Sequence, residues 1–458
     1  MLARSLLPTT KDAMTATVPT AHPASPAAPP GTPSPAPRCR ITGVTVTPVA
    51  FRDPPLLNNV GVHEPFALRT VLEVVTEDGV TGLGETYGDA LHLERVRRAA
   101  PLLAGVDVFD LHAVARAVRE SLGGHPDGGD QGMGGQVTGS GTENRVLAAF
   151  EVACLDVQGK LLGRPVSDLL GGAVREEVAY SAYLFYKWAA HPGQDDDGWG
   201  AALDPAGVVA QARRMVDEFG FTAIKLKGGV VAPEEEVEAI RALRAEFPDH
   251  PLRLDPNGAW TVPTSISVGR ALDGVLEYLE DPTPGLEGMA AVAREVPQPL
   301  ATNMCVVAFE HLKPAVLTDA VQVVLSDHHF WGGLRRSQDL GRICETFGMG
   351  LSMHSNSHLG ISLAAMTHLA AATPNLDYAC DTHWPWKSPD EDVVVPGALR
   401  FAGGSVRVPT TPGLGVELDR DALARLHEQY LACGVRTRDD TGYMRRFEPG
   451  FTVRSGRW

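Results

Sequence analysis

The stretch Ala223-Ile-Lys-Leu-Lys-Gly-Gly229 is a short apolar strand that carries two lysines and ends in a pair of glycines. Similar units, each with a strand, a loop and a helical pattern, recur from about residue 178. We expect the strands to end at these positions: Tyr183, Lys227, Asp255, Glu280, Asn303, Asp327, His354 and about His383. After the first interval the steps are 23 to 29 residues, as in βα units of a parallel sheet. This pattern predicts an α/β fold with a (β/α)8 TIM-like barrel over residues 176–400.

The region before these units has a different pattern. Period-two alternation at 41–49 and β-branched residues at 68–76 predict antiparallel strands, and the glycines of 79–84 predict a turn. Helical patterns and a Gly-rich stretch, 123–141, follow. Residues 39–175 therefore indicate an α+β domain with a loop.

The two ends of the chain differ again. Residues 1–38 are dominated by Pro, Ala, Thr and Ser, so we interpret them as a disordered leader. Residues 401–458 contain a helical pattern at 421–433. We expect this last segment to pack back on the α+β domain.

Composition excludes several classes of protein. The 458 residues carry a net charge of −16, which disfavours an extended surface for nucleic acid or anionic membranes. No run approaches the roughly 20 apolar residues of a membrane span. The six cysteines lie far apart with no CxxC spacing, which disfavours zinc ribbons and indicates free thiols in a reducing cytoplasm.

Oxygen-bearing side chains stand at three successive strand ends. Asp255, Glu280 and Asn303 offer two carboxylates and an amide, the donors that Mg²⁺ prefers. Each residue alone is more simply explained as a helix cap, but three at consecutive strand ends favour a metal site. Active sites of barrels lie at this edge.

Candidate acid/base groups occupy other strand ends. Lys225 and Lys227 alternate with Leu226, so both ammonium groups point to one face of the strand. Asp327 precedes His354 by one unit and can orient its imidazole. A solvated strand and a core histidine are the simpler alternatives. Together with a metal, the two bases favour proton abstraction α to a carboxylate.

With these motifs the sequence resembles the enolase superfamily on its mandelate racemase side, and glucarate dehydratases most closely. The matching motifs are Asn58-Asn-Val-Gly-Val-His-Glu-Pro-Phe66, Ala182-Tyr-Leu-Phe185, Lys225-Leu-Lys-Gly-Gly229, Asp255-Pro-Asn-Gly-Ala-Trp260, Ala301-Thr-Asn-Met304, His354-Ser-Asn356, Asp381-Thr-His-Trp384 and Arg438-Asp-Asp440. The resemblance implies an α+β capping domain over a modified barrel, with Mg²⁺ at Asp255, Glu280 and Asn303.

The resemblance also implies a role for each catalytic residue. Lys227 would be the base on one face of C5 of a hexarate, beside Lys225, which binds the carboxylate. Asn257 would stabilise the enediolate. His354, oriented by Asp327, would be the base for the opposite C5 configuration and the acid for hydroxide departure. The reaction would convert D-glucarate, and also L-idarate, to 5-dehydro-4-deoxy-D-glucarate.

Substrate contacts follow from the same resemblance. Besides Lys225, they map to His63, Thr138, Tyr183, Asn356, His383 and Arg438. Arg438 could make a two-point contact with the distal carboxylate. We expect a small diacid sugar as the partner, a homo-oligomer, and neither nucleic acid nor membrane.

Some positions depart from the family pattern. His328 stands where we expect a proline, and the segment between Glu280 and Asn303 is short, which makes Glu287 a rival metal ligand. Three other functions stay open: a dehydratase or epimerase of another diacid sugar, a catalytically weak regulatory paralogue, and a metal-dependent barrel hydrolase.

Overall fold

The computed structural model describes residues 39–123, 141–453 and 456–458. The predicted leader, residues 1–38, and the predicted substrate contact Thr138 lie outside the described residues.

The strands and helices follow one another in this order: β1 (Ile41–Arg52), β2 (Leu57–Asn58), β3 (Gly61–Val62), β4 (Phe66–Thr76), β5 (Thr81–Tyr87), α1 (Ala90–Ala99), α2 (Leu111–Ser121), α3 (Thr142–Leu162), α4 (Val166–Leu169), β6 (Glu177–Ala179), β7 (Ser181–Phe185), α5 (Pro205–Phe219), β8 (Ala223–Lys227), α6 (Pro233–Glu246), β9 (Leu252–Asp255), α7 (Val262–Ala271), β10 (Tyr278–Glu280), α8 (Gly285–Ala293), β11 (Leu300–Thr302), α9 (Phe309–Thr318), β12 (Val323–Ser326), α10 (His328–Trp331), α11 (Leu334–Phe347), β13 (Gly350–Met353), α12 (Gly360–Ala371), β14 (Phe401–Ala402), β15 (Ser405–Arg407), α13 (Arg420–Cys433) and α14 (Asp440–Met444). Among the helices of the described residues, none is long and apolar enough to cross a membrane.

The first sheet is antiparallel, with strand order β1-β4-β5. Helix α3 packs on β5. The glycines that predict a turn lie partly inside β5, and that prediction is wrong for Gly82 and Gly84. A Cβ atom at Gly82 would lie 2.1 Å from the carbonyl oxygen of Ala153, and one at Gly84 would lie 2.3 Å from that of Ala149. The glycines are therefore needed because the helix backbone approaches the strand closely.

The second sheet is parallel and has seven strands, in the order β13-β12-β11-β10-β9-β8-β7. Every residue of β8 is buried, as expected for a strand whose two faces are both covered. Lys227, the last residue of β8, pairs with Asp255, the last residue of β9. The predicted succession of strand–helix units and the barrel-like α/β fold are confirmed.

The eighth predicted strand is not a strand. Within the described residues, the segment before His383 makes only a single bridge to the barrel, between Tyr180 and Cys380. It still joins the two edge strands of the sheet, because Ser181 N–H of β7 donates to Cys380 O and Asp381 N–H donates to Met353 O of β13, both at 2.8 Å. A 3₁₀ turn begins at Trp384 and ends the extended backbone. The first barrel strand, in turn, continues two residues beyond Tyr183.

The C-terminal segment contacts the antiparallel sheet. Helix α13 lies on β1, where His427 Nδ1 donates to Pro48 O at 2.7 Å and Gln429 Nε2 to Ala50 O at 3.0 Å. Beyond the helix, Arg438 N–H donates to the Asp89 carboxylate at 2.8 Å. These contacts bring Arg438 close to the sheet.

Candidate active site

The carboxyl ends of the barrel strands gather the charged side chains. Lys227, Asp255 and Glu280 are the last residues of β8, β9 and β10. Three more residues come directly after the next three strands: Asn303, Asp327 and His354. All six are buried, so each charge among them needs an ionic or hydrogen-bond partner nearby.

Lys227 is held by two neighbours from the next strand end. Its Nζ atom lies 2.7 Å from Asp255 Oδ2 and 3.0 Å from Asn257 Oδ1. Asn257 has a positive φ of 57°, a left-handed conformation that asparagine adopts more often than most residues. Its backbone N–H donates to Asp255 Oδ1, and its side-chain amide donates to Asn59 Oδ1 of the first domain, both at 3.0 Å.

Lys225 lies between two carboxylates. Its Nζ atom is 2.7 Å from both Asp381 Oδ2 and Glu280 Oε2, and 4.6 Å from the centre of the Tyr183 ring. Burial alone would lower the pKa of this ammonium, but Asp381 and Glu280 raise it well above its usual value. Lys225 is therefore a fixed positive charge. Asp381 was not among the predicted site residues, although the motif around it was noted. We call Lys225, Lys227, Asp255 and Glu280 the lysine side of the site.

The pKa values of the two acids of the lysine side are shifted in opposite directions. Burial opposes ionisation of Asp255, but Lys227 and Lys225 lower its pKa to about 2. Burial and the neighbouring Asp255 raise the pKa of Glu280 well above its usual value. Glu280 Oε1 is buried and has no hydrogen-bond partner. A cation beside these oxygens would satisfy Glu280, so the residues fit the predicted metal site. Glu287, the rival ligand, is exposed in the first turn of α8, and the structure favours Glu280.

Asp281 supports the third predicted ligand and was missed in the sequence. It has a positive φ of 38°. Its carboxylate accepts from Thr302 Oγ1 at 2.5 Å and from Asn303 N–H at 2.9 Å, so it fixes the backbone that carries Asn303. Burial and Asp255 raise its pKa to about 7. The only feature of the sequence that could have pointed to Asp281 is its position directly after Glu280.

Asp327 contacts two histidines. Its Oδ2 lies 3.0 Å from His354 Nδ1, as predicted, and its Oδ1 lies 2.8 Å from His329 Nδ1. Burial opposes ionisation, but the histidines hold the pKa of Asp327 well below its usual range. His329 was not predicted. His328, in the place of the expected proline, is buried, and burial lowers its pKa well below the usual value. We call Asp327, His329 and His354 the histidine side.

One cavity lies between the strand ends and the first domain. The predicted residues that line it are Lys227, His354, His63, Tyr183, Asn356, His383 and Arg438. The predicted catalytic residues Lys225, Asn257 and Asp327, and the three predicted metal ligands, are not among its lining residues. The two proposed bases therefore share a single compartment, and the predicted ligands lie next to it.

Arg438 is already engaged by acids. Its Nε and Nη2 atoms lie 2.7 and 3.0 Å from the two oxygens of Asp440, and its Nη1 lies 2.8 Å from Asp53 Oδ2. Asp53 also accepts from His63 Nδ1 at 3.1 Å. The two-point face of Arg438 is thus occupied by Asp440. Asp53 and Asp440 had no predicted roles.

The remaining predicted contacts have partners of their own. Tyr183 Oη donates to Asp255 Oδ2 at 3.3 Å, and its ring centre lies 4.8 Å from that of His383. Asn356 Nδ2 donates to Tyr87 Oη at 3.3 Å. Burial and His63 lower the pKa of His383 well below the usual value, so this imidazole is neutral near pH 7.

Two family models match the chain. The model described as "Mandelate racemase / muconate lactonizing enzyme, N-terminal domain" matches residues 41–171, and "Enolase C-terminal domain-like" matches residues 207–422. The chain belongs to the enolase superfamily, on its mandelate racemase side. The predicted family is confirmed.

Known relatives agree with this assignment. A "Probable glucarate dehydratase" of Streptomyces coelicolor is 54% identical over 91% of this chain and 99% of its own length. An enolase structure from Mycobacterium smegmatis, complexed with formate and acetate, is 67% identical with a TM-score of 0.90, and covers 92% of this chain and 99% of its own. The same target was also solved with tartrate. An enolase from Gibberella zeae with magnesium, formate and sulfate is 62% identical, with a TM-score of 0.90 and coverage of 92% and 98%. The chain is an enzyme of the hydro-lyase class.

Proposed function

We propose that this enzyme removes water from D-glucarate, and from its C5 epimer L-idarate, to give 5-dehydro-4-deoxy-D-glucarate. The observation that carries the proposal is that Lys227 and His354 line one cavity beside the buried carboxylates of Asp255 and Glu280. The relative named as a probable glucarate dehydratase supports the substrate class. The related structure with tartrate, a hydroxylated diacid, supports it as well.

We propose Mg²⁺ as the cofactor. Asp255, Glu280 and Asn303 would hold it, because they supply two carboxylates and an amide, and Glu280 Oε1 is a buried oxygen without a partner. Related structures contain magnesium, which supports this choice. When bound, Mg²⁺ supplies positive charge for a substrate carboxylate as negative charge develops on it.

The lysine side provides the first acid/base group. As a neutral amine, Lys227 removes the C5 proton, which is α to the adjacent carboxylate. Asn257 and Asp255 fix the position of the amine. Lys225 carries a permanent charge beside Asp255 and Glu280, which favours negative charge in this part of the site.

The histidine side provides the second group. Nδ1 of His354 is bound to Asp327, so Nε2 is the nitrogen available to the cavity. Once the C5 proton has left, the imidazolium protonates the C4 hydroxyl, the C4–O bond breaks and water departs. For the epimer with the opposite C5 configuration, the neutral imidazole is the base instead.

The far end of the cavity would bind the distal carboxylate. A guanidinium has five N–H donors, and three nitrogens of Arg438 each make one contact with Asp53 or Asp440, so N–H groups of Nη1 and Nη2 remain for a substrate. His63 and His383 line the same region.

Proton NMR of D-glucarate in D₂O with the purified enzyme tests the proposal. With Mg²⁺, the C5 proton signal should disappear and the keto-deoxy product should form, and EDTA should prevent both. Exchange without product would contradict dehydration and indicate an epimerase. Neither exchange nor product, with a panel of other diacid sugars equally silent, would favour a regulatory paralogue.

We also propose a cytoplasmic location and a homo-oligomeric state. All six cysteines are free, which suits a reducing compartment. Light scattering of the purified enzyme measures the oligomeric state directly, and a monomer mass would contradict that part of the proposal.

A further inference from the structure

Both oxygens of the Asp327 carboxylate are committed to histidines. Oδ2 contacts His354 Nδ1, and Oδ1 contacts His329 Nδ1 at 2.8 Å and His329 N–H at 2.9 Å. The side chain of Asp327 is 2% exposed. The second hydrogen-bond partner of Asp327, besides His354, is therefore another imidazole and not solvent.

The other ring nitrogen of His329 fixes its protonation. His329 Nε2 lies 3.1 Å from Arg69 Nη2 and 3.2 Å from Ser362 Oγ. The Ser362 hydroxyl can donate or accept, but a guanidinium can only donate, so the contact with Arg69 assigns the lone pair to Nε2. His329 is then a neutral imidazole whose proton is on Nδ1, and this proton is donated to Asp327 Oδ1. Asp327 in turn remains an ionised acceptor for His354 Nδ1–H.

Arg69 is itself held in the first domain. It lies on β4, and its Nε donates to Glu85 Oε1, on β5, at 2.8 Å. Glu85 also accepts from the backbone N–H groups of Leu359 and Ser362, at 2.9 and 2.8 Å, at the start of α12. Charged hydrogen bonds of this kind are strong and directional when buried. The contacts thus run without a gap from Glu85 through Arg69, His329 and Asp327 to His354.

We propose that His329 and Arg69 are positioning residues that keep Asp327 bound to His354 Nδ1 and so hold His354 Nε2 as the acid/base nitrogen of the cavity. This inference rests on the proposed function. His329 does not line the cavity, and Arg69, which does line it, acts on His354 through His329. The chain of contacts makes the acid/base group of the histidine side dependent on the first domain, whereas Lys227 is held mainly by Asp255 and Asn257 of the barrel.

The two epimers separate the two sides experimentally. D-Glucarate and L-idarate present the C5 proton to opposite faces, so in D₂O with Mg²⁺ one exchange rate reports His354 and the other reports Lys227. The variant His354→Asn shows which rate depends on His354, because it should slow exchange of that epimer alone. The measured quantity is the ratio of the two initial rates of C5 proton loss.

Substitutions of His329 then test the inference. His329→Phe keeps a ring beside Tyr87 but removes both nitrogens, and it should slow the His354-dependent rate at least about tenfold, a part of the gain typical of general acid–base catalysis. The Lys227-dependent rate should change less than about twofold. His329→Asn should restore most of the loss, because its amide N–H can donate to Asp327 as Nδ1–H does. If His329→Phe does not fold, His329→Leu removes the same donor.

His368→Asn is the matched control. His368, on α12, is another buried histidine, and its ring contacts Leu414 O and the N–H of Ser167 on α4, outside the cavity. Its substitution should lower thermal stability without changing the ratio. Equal slowing of both epimers by His329→Phe, or no slowing, would overturn the positioning role. Absence of exchange from both epimers in the unmodified enzyme would instead overturn the proposed function.

Discussion

The lysine side and the histidine side of the cavity hold their acid/base groups in different ways. Lys227 contacts Asp255 and Asn257, which belong to the next strand end of the barrel. His354 contacts Asp327, whose other oxygen contacts His329, and His329 contacts Arg69 of the antiparallel sheet. The lysine side is built from ion pairs between adjacent strands, and the histidine side from hydrogen bonds that cross between domains.

This difference assigns the first proton transfer mainly to the barrel, and substrate binding and the second proton transfer partly to the first domain. Lys227 is held directly by Asp255 and Asn257 of the barrel, and the first domain reaches it only one contact further away, where Asn59 accepts from Asn257. That domain supplies the residues around His63 and Arg438 and orients the histidine side through Arg69. A change in the first domain should therefore alter substrate binding and the second proton transfer before it alters the first. The following predictions are ordered by the size of the expected effect.

Removal of the amine of Lys227 should have the largest effect. Lys227→Ala should lower the rate of product formation from D-glucarate by about 10²- to 10⁴-fold, the usual contribution of a general base. The fold should persist, and the circular dichroism signal of the helices should therefore stay unchanged. Lys313→Ala, at an exposed position of α9, is the control and should keep the full rate. Normal turnover of both D-glucarate and L-idarate by Lys227→Ala would exclude it as a base.

Loss of one charged ligand should weaken metal binding. Calorimetric titration of Glu280→Gln with Mg²⁺ should show affinity reduced by more than the roughly 10- to 100-fold typical of lost outer-shell partners. Glu287→Gln should bind Mg²⁺ as the unmodified enzyme does, since Glu287 is exposed on α8. The reverse pattern would assign the metal to Glu287.

The shared partner of His63 and Arg438 should control binding rather than chemistry. Asp53→Asn removes the charge that both contact, so KM should rise about tenfold, or about 1.4 kcal/mol. The hydrogen bonds of Asp53 go to His63 and Arg438 and not to Lys227 or His354. For this reason kcat should change less than about twofold. Steady-state kinetics separates the two constants, and a fall in kcat at constant KM would contradict the separation of roles.

A buried acid near the histidine side should affect stability alone. Glu151 of α3 accepts from Leu334 N–H and Arg335 N–H at the start of α11, and burial raises its pKa from 4.5 to about 7. A raised pKa means that ionisation costs more in the folded state. The cost is absent below pH 4.5, grows up to pH 7 and is complete above it, reaching about 3 kcal/mol at 1.36 kcal/mol per pH unit.

Glu151→Gln keeps an acceptor and removes this cost. Urea unfolding should therefore show the variant to be more stable than the unmodified enzyme at pH 8, with the difference shrinking toward pH 5. A difference independent of pH would show that Glu151 has the same pKa in the folded and unfolded protein, and would contradict the raised pKa.

The sequence predicts the site residues whose positions are fixed by the ends of the barrel strands. Asp255, Glu280, Asn303, Asp327 and His354 could be placed at one edge because the spacing of βα units fixes where parallel strands end. The same spacing fails at His383, where the chain completes the ring with one bridge before a 3₁₀ turn.

Contacts between distant segments could not be predicted in this way. His329 meets Arg69, 260 positions away, and Lys225 meets Asp381, 156 positions away. No local pattern encodes such pairs, because each depends on how the two domains or distant strands pack. Gly82 and Gly84 could not be interpreted from the sequence for the same reason, since they are required by the close approach of the α3 backbone.

The most direct test of two-sided acid/base chemistry is C5 proton exchange in D₂O, measured by NMR for Lys227→Ala, His354→Asn and the double variant. Each single variant should retain exchange of one epimer and lose that of the other, and His354→Asn should also stop product formation. The double variant should exchange neither. Exchange of both epimers in either single variant, or any exchange in the double variant, would contradict the account.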